Sequence, residues 1–157
     1  MAARTLLRSS PGAWVLAVAL PIVLVHVDYQ PGFRITAGST HVHVVLSDLA
    51  VLACLLAALA VAARRGLSAL RPGLPGWVAL ALLLALVVAA CFYPLIGSDP
   101  YPWRDHVITA AKYVEYALLA PAALLLVRRR EDAALLVTTL VAASVVASTL
   151  AVAQFLG

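Results

Sequence analysis

The sequence predicts an all-α fold, a polytopic membrane helical bundle of about five transmembrane helices with its N-terminus in the cytoplasm. Three observations lead there. Of 157 residues, 64% are hydrophobic and 11% are charged, whereas soluble domains hold about 45–50% apolar and about 25% charged residues. Five apolar runs follow one another along the whole chain, as one transmembrane domain. The basic residues gather in alternate connectors.

Crossing about 30 Å of hydrocarbon takes about 20 helical residues. The runs at 42–63, 77–96 and 107–127 meet that length, and 133–156 is slightly longer. The first run, 13–27, is short and follows Arg4 and Arg8, the pattern of a signal peptide. Pro21 and His26 interrupt it and no small-x-small site precedes Asp28, so it reads as a membrane helix. The connector "RRGLSALRPGLPG" is basic and broken by Pro72 and Pro75. The segments "DYQPGFRITAGSTH" and "GSDPYPWRDH" read as Gly- and Pro-rich loops, with Tyr29, Phe33, Tyr101 and Trp103 suited to an interfacial aromatic belt.

Short cytoplasmic loops carry the excess of Lys and Arg. Arg4 and Arg8 precede the first helix, Arg64, Arg65 and Arg71 follow the second, and Arg128, Arg129 and Arg130 follow the fourth. The other side holds only Arg34 and Arg104. The formal charge of +4 is therefore a topology signal. No aromatic residues interleave with these arginines, and no nucleic-acid partner is implied. Cys54 and Cys91 lie within apolar helices, where a thiol behaves as a small hydrophobe, so no disulfide or metal site follows.

Three ionisable residues break the apolar pattern. At 1.5 Å per residue, Asp48 of "VVLSDLAVL" is expected about 9 Å below the outer boundary, Lys112 of "AAKYVEYALLAP" about 7 Å and Glu115 about 12 Å. A charge in hydrocarbon costs at least about 2.5 kcal/mol, so such groups face a bundle interior or a wet cavity and find partners. Lys112 and Glu115 share a helix face, but Lys before Glu is the weaker order, which favours an interhelical pair of Lys112 with Asp48. Two roles stand open: glue that sets helix register, or the lining of a substrate cavity. Pro121 frees the carbonyl of Ala117, and a kink is expected there.

Weaker candidates lie toward the outer face. Arg104 and His106 stand at the mouth of the fourth helix, where Asp105 and His106 form either an acid/base pair or a capped, solvated rim. Gln154 closes the fifth helix. His41 and His43 alternate as ligands on an extended segment would, but no acidic or thiol residue stands beside them, and His26 reads as an interfacial residue. No nucleophile with a base, phosphate loop or carboxylate triad is present, so no catalytic or metal-binding set and no cofactor are assigned.

The stretches "LSDLAVL", "KYVEYALL", "RRRED" and "AVAQFLG" together resemble the N-terminal membrane portion of the O-antigen ligase and polymerase superfamily. The resemblance covers most of the chain through short motifs. It implies a bacterial inner-membrane protein of lipopolysaccharide or other envelope polysaccharide biosynthesis. Members are inverting glycosyltransferases that need no metal and move a glycan from undecaprenyl diphosphate to an acceptor at the outer face. Their catalytic arginines and histidine lie in a later external loop without counterpart here, so the expectation is a scaffold portion of a longer protein, inactive alone. It would place Asp48, Lys112 and Glu115 at the depth of the lipid diphosphate. The alternative expectation is a membrane scaffold or transporter half in which these three residues relay protons or a coupling ion.

Overall fold

The computed structural model describes residues 9–25, 30–37, 40–92 and 103–156. In chain order these form α1 (Pro11–Leu24), β1 (Gly32–Ala37), β2 (Thr40–Val45), α2 (Leu46–Arg65), a 3-10 turn (Ser68–Gly73), α3 (Leu74–Phe92), α4 (Trp103–Ala117), α5 (Leu119–Leu126) and α6 (Arg130–Leu156). The all-α expectation fits, with one short hairpin added. Among the described residues, four stretches are long and apolar enough to cross a membrane: Leu46–Arg65, Ser68–Phe92, His106–Leu126 and Arg130–Phe155. The first helix is shorter than expected. Its 14 residues cover about 21 Å, less than the hydrocarbon thickness.

Helix α1 starts where Ser10 accepts the Ala13 N–H and Pro11 occupies the first turn, where its missing donor costs nothing. It is the central element, packing on α2 along one side and on α6 along another. The main core joins Leu16 and Ala19 of α1 to Ala50, Cys54 and Ala58 of α2 and to Ala122, Leu125 and Leu126 of α5. The alanines among these allow the close backbone approach that packing in lipid requires. At Gly12 an added Cβ would stand 2.7 Å from Leu126 Cδ2, so a side chain there would oblige the end of Leu126 to shift. Ala13 and Ala17 meet Leu135 on the α6 side. Helix α3 pairs with α4 and buries no residue, leaving Leu82, Leu83 and Leu86 exposed, a surface suited to lipid contact.

Three boundaries differ from expectation, each for a local reason. The run "THVHVV" is the second strand of the hairpin, so α2 begins at Leu46 rather than at 42. Its β-branched valines alternate with histidines, which favours pleated backbone over helix. The fourth helix is broken at Leu118 into α4 and α5. Pro121 has no N–H to return to Ala117, and the regular helical ladder lapses at the next residue, whose backbone stays in the helical region. The last helix starts at Arg130, ahead of 133. The span expected at 77–96 is helical from Leu74 to Phe92, and 93–96 lie outside the described residues. Helix α2 ends at Gly66, whose φ of 73° with extended ψ is a conformation that only glycine adopts without strain.

Candidate functional site

The hairpin end of the bundle holds the polar residues that the sequence singles out. Helix α2 opens there, and the N–H groups of a first helical turn have no partner within the helix. Each is met. The Leu46 N–H bonds the Pro31 carbonyl at 3.1 Å, the Ser47 N–H bonds Gln30 Oε1 at 2.8 Å, and the Val45 N–H bonds Asp48 Oδ2 at 3.0 Å. Val45 has no acceptor side chain, so Asp48 supplies the cap by reaching back, and its charge also suits the positive end of the helix dipole.

Asp48 has a second oxygen, and Lys112 of α4 takes it: Lys112 Nζ donates to Asp48 Oδ1 in an ion pair between residues 64 apart in the chain. Glu115 Oε2 stands 3.7 Å from the same nitrogen, beyond hydrogen-bond reach. The side chains are 14% exposed for Asp48, 33% for Lys112 and 26% for Glu115. Asp48 is thus committed twice, to a backbone cap and to the ammonium, while Glu115 is the surplus carboxylate. Because α2 starts later than expected, Asp48 lies in its first turn, about 3 Å beyond Leu46 instead of about 9 Å into the helix. The pair therefore sits at the mouth of α2 rather than within it.

Two neighbouring features were not foreseen in the sequence. Gln30 joins α1 to α2, its Nε2 donating to the Ile22 and Val25 carbonyls at 3.1 and 2.5 Å while its Oε1 receives Ser47. The signal available was an amide between two apolar helices, with donors for one helix end and an acceptor for the next. Ser47 Oγ is buried and has no partner among the described residues. An open apolar cavity of about 220 Å³ lies at the hairpin root beside Phe33, Val44, Leu46 and Leu49, and none of the three charged residues lines it.

At the opposite end, Asp132 forms a second polar centre that the sequence reading passed over as part of a basic turn. Its side chain is fully buried. Oδ1 accepts the Ser10 N–H at 2.8 Å, and Oδ2 accepts the N–H groups of Arg128 and Arg129 at 3.0 and 3.1 Å. Ser9 Oγ donates to the Glu131 carbonyl and Ser10 Oγ to the Leu126 carbonyl, both at 3.3 Å. The start of α1 is in this way stitched to the α5–α6 connector.

Arg104 falls in the first turn of α4, and its side chain, like those of Asp105 and His41, lies outside the described residues, as does His26. His106 is half-buried on α4. Gln154 is exposed near the end of α6, a helix that packs on α1. His43 is exposed on β2, and no group of three metal-ligating side chains occurs among the described residues. Cys54 is buried and Cys91 half-buried, and neither forms a disulfide among the described residues. The chain matches no family model, no curated protein and no solved structure.

Proposed function

We propose that this chain forms a membrane-scaffold part of a glycosyltransferase of the O-antigen ligase and polymerase kind, in the inner membrane of a bacterium, serving transfer of a glycan carried on undecaprenyl diphosphate. One observation supports it above the others: the motif residues from two distant segments, Asp48 of "LSDLAVL" and Lys112 and Glu115 of "KYVEYALL", meet in one cluster at the hairpin end. With the arginine connectors cytoplasmic by charge asymmetry, that cluster stands at the outer interface, the level of a lipid diphosphate. Lys112 is not a free phosphate clamp there, since Asp48 already holds it. Its role on this reading is to fix α4 against the mouth of α2.

Two measurements test the reading. In a variant free of Cys54 and Cys91, a cysteine replacing Ser68 should be shielded from an impermeant thiol reagent in intact cells and one replacing Ser98 should react; the reverse pattern overturns the orientation. Disruption of the gene in its host should build up lipid-linked glycan and remove the transferred product. Unchanged envelope glycans would end the glycosyltransferase reading.

The surplus carboxylate favours a second reading, a proton or ion relay through Asp48, Lys112 and Glu115. It requires that Glu115→Gln abolish ion-coupled flux in proteoliposomes, and a protein showing no flux at all excludes it.

A further inference from the structure

The arginine end carries more charge than topology alone uses. The 3-10 turn packs against α5, which brings the α2–α3 connector beside the α5–α6 connector. Arg64, Arg65, Arg71, Arg128, Arg129 and Arg130 therefore share one end of the bundle, and all six are exposed. Two acids accompany them, Glu131 and Asp132. Asp132 is saturated by three backbone N–H groups, and no ion pair among the described residues includes any of the six arginines. Asp132 bonds the backbone N–H groups of Arg128 and Arg129 rather than their guanidinium groups; the Arg128 Nε donates to the Leu125 carbonyl at 3.0 Å, and the exposed Arg129 side chain makes no hydrogen bond among the described residues.

The surface between the arginines is apolar. Leu67 and Leu74, either side of the 3-10 turn, are 60% and 63% exposed. The turn itself is pinned by the Trp77 indole N–H, which bonds the Leu70 carbonyl at 2.8 Å. Guanidinium groups beside exposed leucines and an interfacial tryptophan match a partner with an oxyanion above and hydrocarbon below. A nucleic acid or a soluble anion offers the first without the second.

We propose that this end is a seat for the phosphate headgroups of anionic phospholipids, held between Arg71 of the 3-10 turn and the Arg128–Arg130 connector. The inference rests on the chain being embedded in a bilayer and is independent of glycan transfer. Binding fixes the two connectors to one another through the bridging headgroup.

Native mass spectrometry of the purified chain in detergent tests it. Phosphatidylglycerol should be retained about tenfold more tightly than phosphatidylcholine, with the preference declining as salt is raised. Arg71→Gln combined with Arg129→Gln should reduce the preference to about twofold, because no hydrogen bond of the described fold uses either side chain; the corresponding Lys pair, which keeps the charge, should retain most of it. An unchanged preference in the Gln pair overturns the proposal. If that pair does not fold, a preference in the native protein that is insensitive to salt overturns it equally. Soluble glycerol phosphate binding as tightly as the lipid would assign the site to a free phosphate and remove the lipid from it.

Discussion

Asp132→Ala should lower the stability of the protein by about 3–5 kcal/mol, the largest loss expected from a single substitution in the chain. Three N–H groups, from Ser10, Arg128 and Arg129, lose their acceptor together, and each donor left buried without a partner costs about 1–3 kcal/mol. The methyl group that replaces the carboxylate also leaves a void at a fully buried position. Asp132→Asn keeps one acceptor oxygen and should cost roughly half as much, since the charge-assisted component is lost while part of the geometry survives. The damage is local in a way that can be read. Helix α6 packs on α1, and Asp132 bonds the residue that caps α1, so releasing it frees the connector that carries Arg128, Arg129 and Arg130. Thermal midpoints in detergent should rank wild type above Asn above Ala, and trypsin should cut the connector faster in the same order. Equal midpoints and equal cleavage would show that the carboxylate holds nothing.

Lys112→Met should strand Asp48 and Glu115 side by side, with a loss of about 2–3 kcal/mol in folded stability or in proton uptake by one of the acids. The partner variant must be chosen with the cap in mind. Asp48 also accepts the Val45 N–H, so an apolar substitution there would remove a helix cap along with the ion pair; Asp48→Asn removes the charge and leaves an acceptor. Paired with Lys112→Met in a double-mutant cycle, it should reveal coupling of about 1–2 kcal/mol, the double variant recovering part of the Lys112→Met loss. Glu115→Gln should change stability by less than about 0.5 kcal/mol, because Glu115 lies beyond hydrogen-bond reach of the ammonium and its removal leaves a balanced pair. Additivity of the Lys112 and Asp48 changes to within about 0.5 kcal/mol would mean that the ion pair contributes nothing. Strong coupling to Glu115 instead would shift the partnership within the helix and raise the relay reading over the scaffold.

The two centres were unequally legible in the sequence, and the reason is the kind of signal each leaves. Asp48, Lys112 and Glu115 stand out because they interrupt apolar runs, and an ionisable group in such a run demands a partner wherever the helices cross. Asp132 sends no such signal. It sits in "RRRED", a charged stretch at a helix end, where composition reads as a solvated connector; only the folding of α1 onto that connector buries it. Gln30 is similar, an unremarked residue of a Pro- and Gly-rich segment until two helix ends converge on its amide.

Composition and run length by themselves determined that the chain is helical and apolar enough for a bilayer, because lipid allows a spanning backbone to pair its polar groups only within a helix or a closed barrel. Pro121 likewise marked the break before α5, since a missing N–H acts within its own turn. Tertiary structure decided the rest. It set where α2 begins, because pairing with β1 claimed 42–45 for a strand, and so it moved Asp48 from within the helix to its mouth. It set which carboxylate holds Lys112, because the answer depends on how α4 lies across the start of α2 rather than on spacing along either helix. And it buried Asp132: the Arg128 and Arg129 donors are local, but the third, Ser10, lies 122 residues away along the chain and reaches it only through the packing of α1 on the connector, which no local pattern encodes.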